Sequence, residues 1–228
     1  MRENRKTSGA RRIDTHAHII PDFYRLWLLD KRVDAGGLPI PNWSAQSTLQ
    51  FMEANEIQTS ILSVATPGVE PGAFDEARRM ARRLNEFAAT LVSESRHRFG
   101  FFATLMLPDV DGSLAEAAYA FDQLHADGII LHANSQGIYL GDPKFDPLMG
   151  ELNRREAVIF IHPAELAGNT VPGIPAYVYS RMRAIGNSIA KSNARSTPKR
   201  ARRRIRVAGQ PRDRTATEPP ATRSRAAD

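Results

Sequence analysis

Five short runs of apolar residues recur between residues 11 and 162, and helical patterns fill most of the space between them. Runs that are apolar throughout are typical of strands buried on both faces, and their alternation with helices indicates right-handed βαβ units in a parallel sheet. One unit takes roughly thirty residues, which is the pace of a (β/α)8 barrel of about 250 residues. We therefore predict an α/β fold, an incomplete TIM-like (β/α)8 barrel with about five βα units. The predicted strands are residues 11–18, 59–65, 98–105, 128–132 and 157–162.

Four amphipathic helices are predicted between these strands: residues 44–55, 75–96, 111–126 (or 113–126) and 145–156. Ser44 is the expected N-cap of the first helix, and Leu49, Phe51 and Met52 form its predicted apolar side. Residues 19–41 are rich in proline and glycine, and we predict a loop that either covers a site or makes a plain surface excursion. The competing fold is an open doubly wound sheet, but no glycine-rich phosphate turn follows the first strand.

The positive charge of the chain is concentrated towards its C-terminal end. The whole chain has a formal net charge of +6, and residues 181–228 alone carry 14 Lys and Arg against 3 Asp and Glu. The preceding residues are therefore acidic, with 17 basic and 22 acidic side chains. Residues 181–228 also lack Leu, Phe, Trp and Tyr, so they cannot bury enough apolar surface to offset the entropy of ordering. We predict a polar extension (1–10), a barrel domain (11–178) and a disordered, arginine-rich tail (179–228).

Histidines stand at the carboxyl ends of three predicted strands, which is where a parallel barrel places its functional groups. His16 and His18 end the first strand, His132 the fourth and His162 the fifth. In an extended strand Asp14, His16 and His18 point to one face, and two imidazoles so placed can bind one metal ion. The chain has no cysteine, so any metal ligands must be His, Asp or Glu. His132 either lines the site or is structural.

Four stretches of the chain resemble the amidohydrolase superfamily. The most similar branch is the aminocarboxymuconate semialdehyde decarboxylase-like group, which includes decarboxylases of 6-methylsalicylate type. The resemblance covers about residues 11–178. The four stretches are IDTHAH at 13–18, SILSVATPGV at 60–69, RFGFFATLMLPDVD at 98–111 and GDPKFDPLMGELNRREAVIFIHP at 141–163.

The resemblance implies a divalent metal ion, zinc or manganese, held by His16, His18 and His162, with Asn134 and His132 near the substrate. It also implies a small unsaturated or aromatic carboxylic acid as substrate, which loses carbon dioxide after a carbon atom is protonated. Members of the family take a catalytic His from strand six and a metal-binding Asp from strand eight. Neither is recognisable here, so we assign no catalytic residue and expect a C-terminally shortened barrel that is inactive as an isolated chain.

Two other functions stay open at this point. The same metal site would suit hydrolysis of a lactone or an amide. In a different class, the clustered arginines of the tail suit nonspecific binding of a polyanion such as RNA, through phosphate contacts. No apolar run is long enough to span a membrane and no secretory signal is recognisable, so we expect a cytoplasmic protein, with a homodimer as one possible assembly.

Overall fold

The computed structural model describes residues 12–33, 39–95 and 97–164. Within them, five strands form one parallel sheet in the order β1-β2-β3-β4-β7, and β5 and β6 form a separate antiparallel hairpin. The parallel pairing confirms the predicted βαβ arrangement. The strands are β1 (Arg12–His18), β2 (Ile57–Ser63), β3 (Phe99–Thr104), β4 (Gly128–His132), β5 (Asn134–Ser135), β6 (Ile138–Tyr139) and β7 (Ile159–His162).

Among the described residues, five α-helices and a short 3-10 helix (Pro143–Phe145) accompany these strands. Four of the α-helices correspond to the predicted helices with ends shifted by a few residues. The additional helix is α1, which lies where a loop was predicted for residues 19–41. That prediction was wrong because Tyr24 and Leu28, one helical turn apart, both face the core and are each 2% exposed. The helices are α1 (Asp22–Asp30), α2 (Ala45–Ala54), α3 (Phe74–Glu94), α4 (Val110–Asp122) and α5 (Asp146–Arg154).

The start of α2 follows the predicted capping chemistry. The Ser44 hydroxyl oxygen accepts a hydrogen bond from the Ser47 N–H at 3.1 Å, which satisfies one of the free donors of the first turn. Met52 is fully buried, as predicted, whereas Phe51 is 58% exposed and does not belong to the apolar side. Neighbouring residues of a helix point about 100° apart, so Phe51 cannot share the narrow face that buries Met52.

The five-stranded sheet is curled so strongly that its first and last strands approach each other at their carboxyl ends. In a flat sheet, strands four places apart would be separated by roughly 19 Å, since neighbours are about 4.8 Å apart. Here the rings of His16 and His18 in β1 lie 5.3 Å and 4.9 Å from the ring of His162 in β7, measured between ring centroids. This curvature is that of a partial barrel, and it excludes a flat doubly wound sheet.

The two faces of the curled sheet bury different sets of side chains. The outer face packs against the helices and carries most of the core. The inner face holds a smaller apolar cluster of Phe102, Ile130 and Phe160, with Ile61 and Val158 packed against it. The rings of Phe102 and Phe160 are stacked with centroids 5.7 Å apart. This cluster corresponds to the layered side chains that fill a barrel interior.

A buried polar network ties α3 and α4 to the end of β3. The amide of Asn85 donates to the Thr104 C=O and accepts from the Thr104 N–H, at 3.0 Å and 2.8 Å. The same amide donates to Glu116, whose other oxygen accepts from Arg82 at 2.9 Å. The network uses the oxygen and the nitrogen of the Asn85 amide and both oxygens of Glu116, so it holds the backbone of Thr104 in register with the helices.

The short hairpin between β4 and α5 was not predicted. Its turn residues Gln136 and Gly137 have φ angles of +51° and +79°, which is the backbone of a tight two-residue hairpin loop. The Asn134 side-chain oxygen accepts a hydrogen bond from the Gly137 N–H at 3.2 Å. The sequence signal was present in the glycine at 137, but two-residue strands are too short to show periodicity.

The predicted extension 1–10, the boundary at residue 178 and the tail 179–228 lie outside the described residues. Among the helices that the structure describes, none is both long enough and apolar enough to cross a membrane.

Candidate metal centre

Three histidines from two strands converge at the carboxyl end of the sheet. His16 and His18 come from β1 and His162 from β7, and one ring nitrogen of each lies within 4.8 Å of the others. The rings of His16 and His18 are 4.8 Å apart and nearly perpendicular. Three imidazole nitrogens at this separation could hold one metal ion between them. These are the three residues for which metal ligation was predicted.

Asp14 does not join this group, although the sequence pattern placed it on the same face as the two histidines. The pairing of β1 with β2 shifts by one residue between Asp14 and Ala17, so that Asp14 lies opposite Ser60 and His18 opposite Ser63. Such a bulge inserts one extra residue and reverses the alternation beyond it. The Asp14 carboxylate instead accepts a hydrogen bond from the His16 N–H at 2.9 Å.

Hydrogen bonds to Nδ1 orient the imidazole of His162. The nearest partner of Nδ1 is the Pro163 C=O at 2.7 Å, with the Thr66 hydroxyl at 3.4 Å. A carbonyl oxygen only accepts, so Nδ1 carries the ring proton and Nε2 carries the lone pair. The Thr66 hydroxyl donates to the same carbonyl at 2.7 Å, which fixes the position of the acceptor.

His18 has a comparable arrangement. Its Nδ1 lies 3.1 Å from the Ser63 hydroxyl, and that hydroxyl donates to the Ala17 C=O at 3.2 Å. With its proton directed to the carbonyl, the Ser63 oxygen accepts from Nδ1, which again assigns the lone pair to Nε2. Metal-ligating histidines commonly use their second nitrogen in this way. Two of the three imidazoles therefore carry their lone pair on Nε2, the atom that could bind a metal ion.

The electrostatic surroundings keep the deepest histidine neutral. His162 is 5% exposed, and burial lowers its pKa to about 3, with the nearby His18 and His132 acting in the same direction. A neutral imidazole is the form that binds a metal ion, since a protonated ring has no lone pair. His16 is exposed at the outer side of the group. The three imidazole donors, the Nδ1–H tautomers of His18 and His162, and the neutral form of His162 fit a divalent cation.

His132 and Asn134 are the two residues predicted to lie near a substrate, and neither belongs to the group of three histidines. His132 pairs in register with His162, and their ring centroids are 5.9 Å apart. The Nδ1 atom of His132 lies 3.6 Å from the Glu70 carboxylate. Asn134 is 4% exposed and its side chain bonds within the hairpin turn. A role for either residue towards a substrate stays a prediction.

Sequence reasoning missed three polar residues that support the site: Ser63, Thr66 and Glu70. Ser63 ends β2, and the other two lie in the loop that follows it. All three stand just after a buried strand, where a barrel carries its functional groups, and that position was the available signal. The histidines that they face lie on other strands, so the sequence could not show what they contact.

A curled parallel sheet with helices on its outer face defines an α/β-barrel protein, and the three convergent imidazoles at its carboxyl end could hold a metal ion. The sequence profile described as amidohydrolase matches residues 13–225 of the chain. The chain belongs to this amidohydrolase family. The match extends beyond residue 178, where we predicted the barrel domain to end.

The similar proteins of known activity are decarboxylases. The decarboxylase yanB of Aspergillus niger is 42% identical over 167 residues, which are 69% of this chain and 45% of that protein. The 6-methylsalicylic acid decarboxylase acuB of Aspergillus aculeatus is 38% identical over 159 residues, covering 67% of this chain and 47% of that protein. The chain therefore spans about half the length of the curated relatives it matches.

A solved structure with the same fold contains a bound metal ion. The 5-carboxyvanillate decarboxylase LigW2 of Novosphingobium aromaticivorans contains manganese and 3-methoxy-4-hydroxy-5-nitrobenzoic acid. It superposes with a TM-score of 0.60 at 27% identity, covering 69% of this chain and 52% of that one. The predicted membership of a decarboxylase branch of the amidohydrolases is confirmed.

Proposed function

We propose that this chain carries the metal-binding face of a decarboxylase that acts on small aromatic or unsaturated carboxylic acids. The observation that carries the proposal is the convergence of His16, His18 and His162 within 4.8 Å, two of them with Nδ1 bonded to neighbouring oxygens. The relatives support the reaction class, since one is named for 6-methylsalicylic acid and another binds an aromatic acid beside manganese.

In this proposal the three histidines hold zinc or manganese through Nε2. When bound, such an ion supplies a positive charge that can attract and orient a substrate carboxylate. Manganese is favoured over zinc by the LigW2 structure. His162 contributes its lone pair at neutral pH because burial keeps it uncharged.

The remaining residues of the site would shape the space next to the ion. Phe160 lies below the histidines, with its ring centroid 5.0 Å from that of His16, and offers an apolar surface for a flat ring. In this proposal His132 and Asn134 would contact polar substituents of the substrate. Decarboxylation replaces the carboxylate by a proton on the same carbon and releases carbon dioxide. We assign the donor of that proton to no described residue.

The alternative functions, the location in the cell and the assembly have less support. Hydrolysis of a lactone or an amide would use the same ligands, but the reported relatives are decarboxylases. Polyanion binding by residues 181–228 concerns a segment outside the described residues and stays a prediction. The proposal includes a cytoplasmic protein, which is the expectation from the sequence pattern, and a homodimer as one assembly to test.

Calorimetric titration of the full chain with manganese and with zinc tests the metal site. We expect one ion per chain, and a loss of affinity of at least about a hundredfold when His16 and His18 are both changed to Ala, because two of three ligands disappear. His162→Ala should have a similar effect. His125→Asn is the matched control, since His125 is exposed and lies outside the group. Binding that survives the double change would refute the assignment.

The reaction class requires a second measurement. Because the isolated chain is expected to be inactive, the first question is whether it releases carbon dioxide from 6-methylsalicylic acid and related hydroxybenzoic acids at all. Any such release should depend on added metal and disappear in the His162→Ala variant. Turnover of lactones or amides without carbon dioxide release would favour the hydrolase alternative. Metal binding without turnover of any of these acids would restrict the proposal to the binding face.

A further inference from the structure

A small cavity adjoins His132 next to the metal-binding histidines. Its wall includes Glu70, Thr104 and Ser135, together with apolar side chains of β4 and of the segment after β3. The space open to the centre of a water molecule is about 20 Å³. A single water needs roughly 10–15 Å³ by this measure, together with two or more polar partners. The cavity has room for one water molecule.

Two buried oxygen atoms in the wall of this cavity have no hydrogen-bond partner among the described residues: Glu70 Oε1 and Thr104 Oγ1. Thr104 is 4% exposed, and both of its backbone groups are occupied by Asn85. Buried polar atoms in native proteins are nearly always paired with protein or with ordered water. A water molecule in the cavity would give both oxygens the partner they lack.

The distance between Glu70 and His132 also calls for a bridging group. Glu70 Oε1 and His132 Nδ1 are 3.6 Å apart, which is too long for a direct hydrogen bond. A water between two polar atoms at such a separation is nearly as favourable as a direct bond. The same oxygen therefore lacks a partner, borders the cavity and faces the ring nitrogen of His132.

The loop after β2 confines the His132 ring from another side. Gly68 has a φ angle of +62°, and a Cβ atom there would lie 2.5 Å from the Cε1 atom of His132. The Tyr24 hydroxyl donates to the Gly68 C=O at 2.6 Å and fixes the loop. Burial, together with the negative charge of Glu70, raises the pKa of Tyr24, so its hydroxyl remains a donor. The ring has little freedom to choose another orientation.

We propose that Glu70 is a positioning residue for His132 and acts through one buried water molecule that Thr104 also holds. The water accepts from His132 Nδ1–H and donates to Glu70 Oε1 and Thr104 Oγ1. Because the Glu70 carboxylate and the Thr104 oxygen take both protons of the water, its oxygen can only accept from the ring, and this selects the tautomer with the proton on Nδ1 and the lone pair on Nε2. The inference rests on the proposed function in one respect: Nε2 then accepts a hydrogen bond from a substrate hydroxyl beside the metal site.

The tautomer of His132 can be measured directly by NMR in the metal-free full chain labelled with ¹⁵N-histidine. The imidazole ¹⁵N shifts distinguish the two tautomers, and the spectrum of His132→Gln assigns the signals. We expect the Nδ1–H form in the wild type. Glu70→Met has a similar length but no acceptor, and should shift the population by about fivefold towards Nε2–H, the effect of losing one hydrogen bond. Glu70→Gln retains an acceptor oxygen and should restore the wild-type tautomer.

Two further variants complete the test. Glu94→Gln makes the same chemical change as Glu70→Gln at an exposed position of α3, and it should leave the His132 signals unchanged. Thr104→Val removes one partner of the water while preserving the side-chain shape, and should shift the His132 tautomer in the same direction as Glu70→Met.

An unchanged His132 tautomer in Glu70→Met would overturn the proposal. A shift in Glu70→Met with no shift in Thr104→Val would overturn the water link. Because these spectra are recorded without metal, they are independent of the proposed function. Failure of the wild-type chain to bind manganese or zinc would refute the proposed function but would not affect the conclusion about the His132 tautomer.

Discussion

At the scale of single residues, the Ser63 side chain orients the His18 ring for metal binding. Its hydroxyl lies 3.1 Å from His18 Nδ1 and is directed by the Ala17 C=O. We predict that Ser63→Ala lowers the affinity for manganese or zinc by about 10–100-fold, the usual cost of losing a partner of a metal-ligating histidine. Calorimetric titration measures the change.

The control for this prediction is Ser93→Ala. The Ser93 hydroxyl bonds within the exposed surface of α3, at 2.8 Å from the Thr90 C=O, and has no contact with the site. Its removal should leave metal affinity unchanged. If Ser63→Ala binds the ion as tightly as Ser93→Ala does, the hydrogen bond to Nδ1 has no part in preparing the ligand.

At the scale of secondary structure elements, α5 contains an exposed glycine, Gly150, with open space around it. A Cβ atom at Gly150 would meet nothing within 4 Å. We predict that Gly150→Ala raises the free energy of unfolding by about 0.5–1 kcal/mol, because alanine loses less backbone entropy in a helix. Urea denaturation followed by circular dichroism measures the difference.

Gly68→Ala is the same substitution at a position where we expect the opposite effect on stability. Its positive φ and the short approach to His132 leave no room for a Cβ atom. This variant should be less stable than the wild type. Equal effects at the two glycines would show that local backbone conformation does not decide the outcome.

The N-terminus of α4 carries a cap whose contribution should depend on pH. The Asp109 carboxylate accepts two hydrogen bonds from Arg78, at 2.6 Å and 3.0 Å, and one from the Gly112 N–H. The bonds to Arg78 are the largest cause of the lowered pKa of Asp109, and the bond from Gly112 adds to them. The folded chain therefore binds fewer protons at this group than the unfolded chain does.

It follows that Asp109 stabilises the fold above its unfolded pKa of about 3.9 and loses this effect as the pH falls through its lower folded value. We predict that Asp109→Asn lowers the free energy of unfolding at pH 7 by about 1–2 kcal/mol, since asparagine keeps the cap but leaves Arg78 without a charged partner. The difference from the wild type should shrink below pH 4. Urea denaturation at pH 7 and pH 3.5 measures it.

Asp30→Asn serves as the comparison, because Asp30 is exposed at the end of α1. Asp30→Asn should change the free energy of unfolding by no more than about 0.5 kcal/mol. A destabilisation by Asp109→Asn that is as large at pH 3.5 as at pH 7 would contradict the role of the Arg78 pair.

At the scale of the whole molecule, the site joins the two edges of the described sheet. His16 and His18 belong to β1 and His162 to β7, the first and last strands in the sheet order. An ion bound between them would hold the two edges of the sheet together. It would bind the folded chain but not the unfolded chain. At a metal concentration of a hundred times Kd, we predict an increase of about 2.7 kcal/mol in the free energy of unfolding.

Thermal denaturation with and without manganese measures this effect. The variant with both His16 and His18 changed to Ala should show no stabilisation by metal, whereas His125→Asn should respond as the wild type does. A metal-dependent increase that persists in the double variant would place the ion elsewhere in the molecule.

The sequence by itself determined the five strands of the parallel sheet, four of the helices and the position of the histidines along the strands. Short apolar runs and helical spacing reflect how each element is buried, so β2 to β4 and α2 to α5 were predicted with small shifts at their ends. It also showed that His132 and His162 end their strands, because a strand end is a local property.

Only the tertiary structure decided which of these residues meet. The curl of the sheet brings β1 to β7, and no local pattern encodes that approach. A bulge turns Asp14 away from His18, and α1 forms because Tyr24 and Leu28 find a core to pack against. The partners Ser63, Thr66 and Glu70 act across strands distant in sequence. Contacts between elements depend on the packing of the whole fold, and these contacts determine the arrangement of the site residues.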